Sequence, residues 1–423
     1  MSVAEHNLTD RITYDDLYRR WEQNNWSATA IDLTEDRAGW AALSDIQRDS
    51  ALWIYSMFFF GEDSVADNLS PYIDAAPKEE QKYFLATQQV DEARHAIFFH
   101  RFFKEVIGAG EDVATTLAST EKHLGWGYRK VFERLDRMAA ELRQDKSLPK
   151  FAQAITLYHL IVEATMAQPG QHFIEDFFIK QGGMPGFSSG MENISRDEQR
   201  HIGFGVKVLN ELLRESDECK AAVDELLAEV MQWTSSVFIP PNWNREYTRC
   251  YGFELEDIGE WGMRAIEQKW RAVGYPIEEM PPGVFPMDMS IPHRERASRM
   301  IQMTEGGVIG EPGIRPDASP QTQGLYFDLI GRMVHTEVVN GGGPFKVQWR
   351  FSDAEPWHLI VDNGSTRAAG GEVAAPDVTL ESSWMDFIEM SKGAVAPPKA
   401  LLQRRLKVSG GPRNLLRFRK LLA

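Results

Sequence analysis

Two pentapeptides with the same pattern, Asp91-Glu92-Ala93-Arg94-His95 and Asp197-Glu198-Gln199-Arg200-His201, decide how this chain of 423 residues is interpreted. Residues three apart on a helix share a face, so each pentapeptide directs one carboxylate and one imidazole toward the same point. Two such turns supply four ligands. We therefore predict a site for two metal ions between these helices, with four ligands from the pentapeptides: Glu92, His95, Glu198 and His201.

Two further glutamates complete the predicted ligand set. A dinuclear carboxylate centre in a four-helix bundle also takes one Glu from each of two other helices. Glu62 and Glu163 follow the strongly apolar runs 53–61 and 157–162, where a buried carboxylate is costly unless a cation meets it. Glu92 follows Glu62 by 30 residues and Glu198 follows Glu163 by 35, which predicts two similar helix pairs.

The residues beside these ligands suggest supporting roles. Asp91 and Asp197 each precede a ligand Glu, and we expect them to accept the second ring N–H of a ligating His. Arg94 and Arg200 are expected to balance the carboxylate charge, the alternative being that they lie at the surface. Three other histidines lie outside the ExxH register and are expected to be packing or surface residues: His100, His159 and His172.

The amino-acid composition limits which classes of protein this chain can belong to. Hydrophobic residues make up 43% of the chain and aromatic residues 11%, which indicates a folded globular protein. The 46 basic and 62 acidic residues give a net charge of −16, which disfavours nucleic-acid binding through bulk charge. Cys219 and Cys250 are the only cysteines, and no apolar run is long enough to span a membrane. We predict a cytoplasmic protein without a membrane span or a disulfide framework.

Residues 1–275 predict an all-helical domain. Ser44 opens a capping box for the helix with Glu62, which is expected to end at Pro71. A second helix should run from near Pro77 to Gly108, and Pro169 should cause a kink or bulge in a later one just past Glu163. The remaining predicted helices are 113–143, 188–214, 217–238 and 255–273, preceded by an arm over 1–43 whose tryptophans lie against the bundle.

The amino-acid composition of the sequence changes after residue 275. Residues 276–319 are rich in Pro and Gly, so we predict a linker. Residues 320–423 combine a helix near Phe327 with alternating segments typical of half-buried strands, and they predict an α+β domain. The predicted strands are 346–351, 358–362, 377–380 and 406–408, with a helix over 383–391.

The N-terminal part resembles the ribonucleotide reductase small-subunit superfamily of ferritin-like proteins, and within it the R2-like ligand-binding oxidases. The resemblance rests on residues 60–65, 91–99, 158–163 and 196–201. It implies a ferritin-like helix bundle with an Fe/Fe or Mn/Fe centre, a long-chain fatty acid bound at the metals, and a homodimer. It also implies an ether cross-link between Val65 and Tyr158, although each could be an ordinary core residue.

The C-terminal part resembles a sterol carrier protein type 2 (SCP2) domain, which implies an apolar tunnel for lipids. The resemblance rests on residues 377–380, 386–388, 392–393, 405–410 and 415–422. Basic residues here could attract an acyl or phosphate head group or form a solvated positive face: Arg404, Arg405, Lys407, Arg413, Arg417, Arg419 and Lys420.

These observations predict an oxidase or monooxygenase that activates O2 at a dinuclear Fe/Fe or Mn/Fe centre and acts on a lipid-like substrate, with electrons from a donor. Hard carboxylate ligands with one imidazole per metal suit iron and manganese. One alternative is a radical-generating ribonucleotide reductase small subunit. Phe99 disfavours it, because the resemblance places the radical-storing Tyr of many such subunits there. The other alternative is a non-catalytic protein that binds lipid and stores metal.

Overall fold

The computed structural model describes residues 12–339 and 343–421, with only the backbone of residues 178–181. The described residues form two compact units that divide between residues 279 and 280. The N-terminal unit is built from helices, whereas the C-terminal unit combines helices with a sheet. None of the described helices is both long and apolar enough to cross a membrane.

The helix that carries Glu62 spans Asp45–Asn68, and we call it the Glu62 helix. It begins with the predicted capping box at Ser44, which satisfies backbone N–H groups of the first turn. It ends at Asn68, three residues before Pro71, which agrees with the predicted stop. Pro71 belongs to the first turn of the next helix, Ser70–Ala75, where a missing N–H breaks no helical hydrogen bond.

The Glu92 helix spans Glu79–Phe102 and continues as a wide π-helical turn, Phe103–Ile107. It ends at Gly108 as predicted, because the left-handed φ of 79° at that residue suits glycine. One long helix therefore carries Asp91, Glu92, Arg94 and His95 within little more than one turn.

Glu163 lies in a π-helical segment, Thr156–Ala167, which joins the helices Leu148–Ile155 and Gln168–Gln181. π-Helical turns place an extra residue in a helix and are frequent at functional sites. The predicted kink or bulge just past Glu163 corresponds to the last π-helical turns, but the irregular turns already begin seven residues before this ligand. Pro169 follows this segment inside the continuous helical run 148–181, where it donates no backbone hydrogen bond.

The Glu198 helix spans Pro185–Glu215 and packs closely on its neighbours at two glycines. A Cβ on Gly205 would lie 2.2 Å from the Cβ of His159, and one on Gly190 would lie 2.1 Å from the Phe98 ring. Real Cβ contacts are never that short, so only glycine allows this approach. The Glu198 helix can therefore bring its ligands against the Glu92 helix and the π-helical segment.

The remaining helices surround these four elements. The predicted helix 113–143 is two helices, separated by a 3-10 turn over Glu121–His123 and by Gly125, whose extended backbone begins the second one. The other helices of the N-terminal unit are Tyr14–Gln23, Asp36–Ala42, Val113–Thr120, Trp126–Leu142, Asp217–Thr234, Glu246–Arg249 and Leu255–Val273.

The N-terminal arm lies against the bundle, as the sequence predicted for its tryptophans. Trp40 is buried and packs edge-on against Phe102. The indole N–H groups of Trp21 and Trp26 reach inward to the two Asp residues of the pentapeptides, which they contact by hydrogen bonds.

Five strands of the described C-terminal residues form one sheet in the order β3-β2-β1-β4-β5. β1 and β4 are parallel, and the other neighbours are antiparallel. The predicted strands are present, but β3 was not predicted, because residues 365–370 lack alternating large apolar side chains. The strands are β1 Phe345–Phe351, β2 Trp357–Asp362, β3 Ser365–Gly370, β4 Val378–Ser382 and β5 Leu406–Gly410.

Helices cover the sheet and enclose an aromatic core. Phe327 on the helix Pro320–Met333 stacks on Trp357 and contacts Trp384, the first residue of the helix Trp384–Ser391. The predicted linker 276–319 is not free of helix: it contains His293–Glu305, and its Met303 and Val308 are part of this core. The two last helices are Pro397–Leu402 and Pro412–Leu421.

Candidate metal centre

The structure brings all six predicted ligand side chains together in one buried cluster. Two overlapping groups each hold potential ligand atoms within 4.8 Å of one another. Glu92 and Glu198 belong to both groups, so they lie where the two halves of the cluster meet. The first group is Glu62, Glu92, His95 and Glu198, and the second is Glu92, Glu163, Glu198 and His201.

Each imidazole faces carboxylates through the same ring nitrogen. His95 Nδ1 lies 3.1 Å from Glu62, 3.4 Å from Glu92 and 3.5 Å from Glu198. His201 Nδ1 lies 3.2 Å from Glu92, 3.4 Å from Glu163 and 3.8 Å from Glu198. Each half of the cluster therefore offers one imidazole nitrogen and carboxylate oxygens to a common point.

The opposite nitrogen of each imidazole contacts an aspartate of the other pentapeptide. His95 Nε2 donates to Asp197 at 3.3 Å, and His201 Nε2 donates to Asp91 at 3.2 Å. A carboxylate can only accept, so these contacts place a proton on both Nε2 atoms. The Nδ1 lone pairs then point at the glutamates, which is the tautomer that a ligating His requires.

Two indoles fix the aspartates from outside. Trp21 Nε1 donates to Asp91 at 2.9 Å, and Trp26 Nε1 donates to Asp197 at 2.8 Å. Trp26 also stacks on the His95 ring at 6.1 Å. The arm therefore completes the hydrogen bonding of both aspartates, and the motif spacing carried no sign of this.

The arginines of the pentapeptides are directed into the structure, so the surface alternative is wrong. Arg94 donates to Asp91 at 2.9 Å and lies 3.7 Å from Asp197. Buried Arg200 donates to Asp91 and lies 3.5 Å from Asp197. Two guanidinium groups thus balance two buried aspartates, leaving the four glutamates without a fixed counter-charge.

Burial makes the glutamate cluster unfavourable without cations. Burial raises the pKa of Glu62 to about 7 and that of Glu163 to about 8. Burial and the neighbouring carboxylates raise the pKa of Glu198 well above its usual range. Burial opposes ionisation of Glu92 too, but His201 and His95 hold the pKa of this carboxyl well below its usual range.

The histidines respond to the same charges. Burial alone would lower the pKa of His95, but Glu62 and Asp197 raise it well above its usual value. Burial would likewise lower the pKa of His201, but Glu92 and Asp91 raise it well above its usual value. Burial works against the charge on Asp197, yet its contacts with His95 lower its pKa to about 2.

The cluster fits two divalent cations. Glu163 Oε2 and Glu198 Oε2 are buried without a hydrogen-bond partner among the described residues. Such orphaned carboxylate oxygens are rare unless an ion or water meets them. Two divalent ions would also neutralise four glutamates, and they would replace the second proton that each imidazole otherwise needs.

Gln88 and His159 belong to the site but were not predicted as part of it. Gln88 Nε2 donates to Glu163 Oε1 at 2.7 Å and lies 3.4 Å from Glu92 Oε1. His159 Nε2 donates to Gln88 Oε1 at 3.1 Å, and burial lowers the pKa of this neutral imidazole to about 3. The sequence did hold a signal: each residue precedes a ligand Glu by four positions, hence one helical turn.

A small apolar cavity lies beside the cluster and is lined by Tyr158 and Val65 together with the four glutamates. The Tyr158 hydroxyl donates to Glu92 Oε1 at 2.7 Å, and burial raises its pKa well above the usual value. The rest of the lining is mostly hydrophobic, including Phe58 and Phe132.

The other two histidines lie outside the cluster. His100 Nδ1 contacts the Thr116 hydroxyl at 3.2 Å, and His172 stacks on Trp261 with ring centroids 5.1 Å apart. Both contacts agree with the predicted packing role.

Comparison with known families identifies the chain. Residues 9–237, more than half of the chain, match the family described as ribonucleotide reductase, small chain. The chain therefore belongs to the ribonucleotide reductase small-chain family. Residues 338–423 match the SCP-2 sterol transfer family. Both predicted resemblances are confirmed.

Solved structures extend the comparison. A point variant of an R2-like ligand-binding oxidase with an anaerobically reconstituted Mn/Fe cofactor aligns with TM-score 0.54 at 21% identity, covering 64% of this chain and 97% of that chain. The R2-like ligand-binding oxidase from Sulfolobus acidocaldarius aligns with TM-score 0.53 at 22% identity, covering 67% and 94%. At these identities the likeness establishes the fold, and the predicted ferritin-like bundle followed by an α+β unit is confirmed.

Proposed function

We propose that this protein is an O2-activating oxidase or monooxygenase with a dinuclear Fe/Fe or Mn/Fe centre, acting on a hydrophobic, lipid-like substrate. The observation that carries the proposal is the buried cluster of four glutamates and two histidines beside an apolar cavity. Carboxylate oxygens with one imidazole nitrogen per ion suit iron and manganese better than copper. The solved relatives described as Mn/Fe proteins support the same choice of metals.

Each residue of the metal site would have a distinct role. His95 with Glu62 would hold one ion and His201 with Glu163 would hold the other, while Glu92 and Glu198, which belong to both groups, would contribute to both. When bound, the reduced metal pair would supply electrons to O2. Asp91 and Asp197 keep the Nε2 protons of the two imidazoles in place, so both Nδ1 atoms stay available to the metals.

The cavity determines the proposed substrate class. Its hydrophobic walls exclude water from the reacting centre and favour a C–H bond of an apolar chain over a polar substrate. The Tyr128 hydroxyl lines this cavity but is already used, since it donates to the Met57 carbonyl. A long-chain fatty acid is the ligand we propose.

Val65 and Tyr158 line the same cavity, and we propose that they become joined by an ether cross-link in a reaction that requires metal and O2. The new bond joins Tyr158 Oη to a side-chain carbon of Val65. Two protons and two electrons leave the side chains in total, from the O–H of Tyr158 and a C–H of Val65, and they reduce O2 to the level of hydrogen peroxide. Intact-mass measurement tests this step, since the cross-linked chain is lighter by two hydrogens.

Oxygen consumption tests the function. Fe- or Mn-loaded protein should consume O2, and Glu92→Ala should abolish consumption because it removes a ligand shared by both ions. Glu80→Ala, an exposed position on the same helix, is the matched control and should leave the rate unchanged. Metal uptake without O2 consumption in the unsubstituted protein would instead support the non-catalytic, metal-storing alternative.

The radical-generating subunit is the second candidate, and the family match itself favours it. Phe99, which is fully buried against Phe58, carries no hydroxyl that could store a radical. A stable tyrosyl radical signal after O2 exposure, together with a complex with a large reductase subunit, would support this candidate over the oxidase.

We propose that the C-terminal unit, residues 280–423, is a lipid-binding domain that includes most of the predicted linker, and that the N-terminal unit is the metal domain. The ring centroid of Phe327 lies 5.1 Å from that of Trp357 and 5.2 Å from that of Trp349. The indole N–H groups of both tryptophans have no hydrogen-bond partner among the described residues. Apolar rings with unused donors suit an amphiphilic ligand. Native mass spectrometry of the full chain with extracted lipids tests this role.

We also propose a homodimer, supported by an exposed stripe on the Glu92 helix. Tyr83, Val90 and Ile97 are 59%, 50% and 40% exposed, and exposed Ala86 and Ala93 lie between them. This is an uninterrupted heptad pattern of apolar residues facing away from the bundle. A second copy related by a two-fold axis would present the same stripe and cover it.

The proposed reaction needs two further conditions. A monooxygenase requires two electrons from an external donor in addition to those from the substrate, so we propose a separate electron-transfer partner. The two free cysteines, Cys219 and Cys250, agree with a reducing cytoplasm as the place of action.

A further inference from the structure

The last part of the C-terminal unit concentrates positive charge. Residues 397–421, which we call the basic segment, contain eight Lys and Arg residues and no Asp or Glu. The whole chain carries a net charge of −16, so this segment is opposite in sign to the rest. A solvated, positively charged surface is the ordinary explanation of such a segment. Two observations of the structure argue against it.

The first observation is exposed leucine. Leu401 and Leu402, at the end of the helix Pro397–Leu402, are 46% and 87% exposed. Leu416, on the helix Pro412–Leu421, is 56% exposed. The strand β5, which lies at the edge of the sheet, joins these helices, so the exposed leucines precede and follow one edge strand in the sequence.

The second observation is that most of the charge is unpaired. Arg405 is held by Asp386 at 2.7 Å, Lys407 by Glu381 at 2.7 Å, and Arg417 lies over the Phe345 ring. The other five basic residues are exposed and make no ion pair with any residue that the structure describes: Lys399, Arg404, Arg413, Arg419 and Lys420.

Leucine and charge share one face of the last helix. Arg413, Leu416 and Lys420 are spaced three and four residues apart, so they lie together on its exposed side. Phe418 and Leu421 face the opposite way and pack on the core of the C-terminal unit. The helix is therefore already anchored, and its exposed side is available to a partner.

We propose that the basic segment docks the C-terminal unit onto an anionic lipid bilayer. Leu401, Leu402 and Leu416 would enter the boundary between head groups and acyl chains, while the unpaired cations contact lipid phosphates. A nucleic acid would use the cations but not three exposed leucines. The inference rests on the proposed lipid role, because a lipid-like substrate must be taken from a bilayer.

Vesicle co-sedimentation of the full chain tests the proposal. The protein should partition to vesicles of phosphatidylcholine with phosphatidylglycerol and not to phosphatidylcholine alone, and the binding should weaken as salt is raised. Arg419→Gln and Lys420→Gln should each lower the partition coefficient roughly fivefold, and Leu402→Asp should lower it at least as much. All three side chains are exposed, so these variants should keep their circular dichroism and thermal stability.

Two substitutions in the N-terminal unit serve as controls. Leu148→Asp changes a leucine that is exposed to a similar degree as Leu401, and Arg143→Gln neutralises an exposed arginine. Neither should alter vesicle binding.

Three results would overturn the proposal: equal binding to both vesicle types, binding that no basic-segment variant weakens, or capture of a duplex DNA probe that Leu402→Asp leaves unchanged. The last would assign the surface to nucleic acid. Failure of vesicle binding in protein that still consumes O2 would reject the docking surface while leaving the proposed oxidase intact.

Discussion

Replacing Gln88 by Leu should weaken one of the two metal positions selectively. The side chain of Gln88 is fully buried and donates to Glu163 Oε1 at 2.7 Å, while its own oxygen accepts from His159. Leucine has a similar volume but no amide. The substitution therefore frees the Glu163 carboxylate to change its orientation and leaves a buried N–H of His159 without an acceptor.

The size of the effect follows from these contacts. A hydrogen bond to a charged group contributes about 1.5–3 kcal/mol, which corresponds to roughly 10- to 100-fold in a binding constant. Loss of an outer hydrogen bond to a metal ligand costs about the same, roughly 10- to 100-fold in metal affinity. We expect this loss at the ion held by His201 and Glu163.

The other half of the site lacks this polar pair. The residues four positions before Glu62 and Glu198 are Phe58 and Ile194, both buried and apolar. The ion held by His95 and Glu62 should therefore keep its affinity within about threefold in Gln88→Leu, since only the weak 3.4 Å contact to Glu92 is shared. The two metal positions are thus chemically unequal in this chain.

Anaerobic titration of the metal-free protein with Mn(II), followed by electron paramagnetic resonance of the free ion, measures both binding steps. The double variant Gln88→Leu/His159→Phe removes the stranded donor as well, so it should regain thermal stability without regaining metal affinity. Ile194→Val is the control at the equivalent turn. Equal weakening of both steps, or of neither, would refute the role assigned to Gln88.

Four further outcomes follow. Tyr158→Phe should retain metal binding but show no loss of two hydrogens by intact mass; a persisting loss would exclude the proposed cross-link. Gly205→Ala should destabilise the protein by about 1–3 kcal/mol in chemical denaturation through steric overlap with the π-helical segment, whereas Gly203→Ala, which meets no atom within 4 Å, should not. Val90→Glu should convert a dimer to a monomer in size-exclusion chromatography with light scattering, and an unchanged mass would reject the stripe as the interface. Chelation of bound metal should lower the melting temperature measured by calorimetry, because the glutamates then lose their counter-charge; an unchanged temperature would contradict the charge argument.

The positions of the six clustered residues were accessible from the sequence because helical geometry is local. Glu92 and His95 must share a face wherever that helix packs, and the repeat of the motif at Glu198 and His201 specifies a partner. Glu62 and Glu163 could be found because a carboxylate after an apolar run needs a cation. Their proposed roles as ligands remain for experiment.

Contacts that depend on tertiary packing were not accessible in this way. Gln88 and His159 belong to different helices, and nothing in their spacing states that they meet. The π-helical turns begin at Thr156, and Pro169 in the sequence indicated only their end just past Glu163. Strand β3 escaped prediction because an edge strand needs few large apolar residues.

Metal content combined with anomalous scattering tests the central claim most directly. Purified protein reconstituted with Fe(II) and Mn(II) should hold two ions per chain, one near His95 and Glu62 and one near His201 and Glu163. Glu198→Ala should lower this number, because its carboxylate belongs to both groups. A crystal of the loaded protein with no anomalous peak between these six side chains would contradict the account.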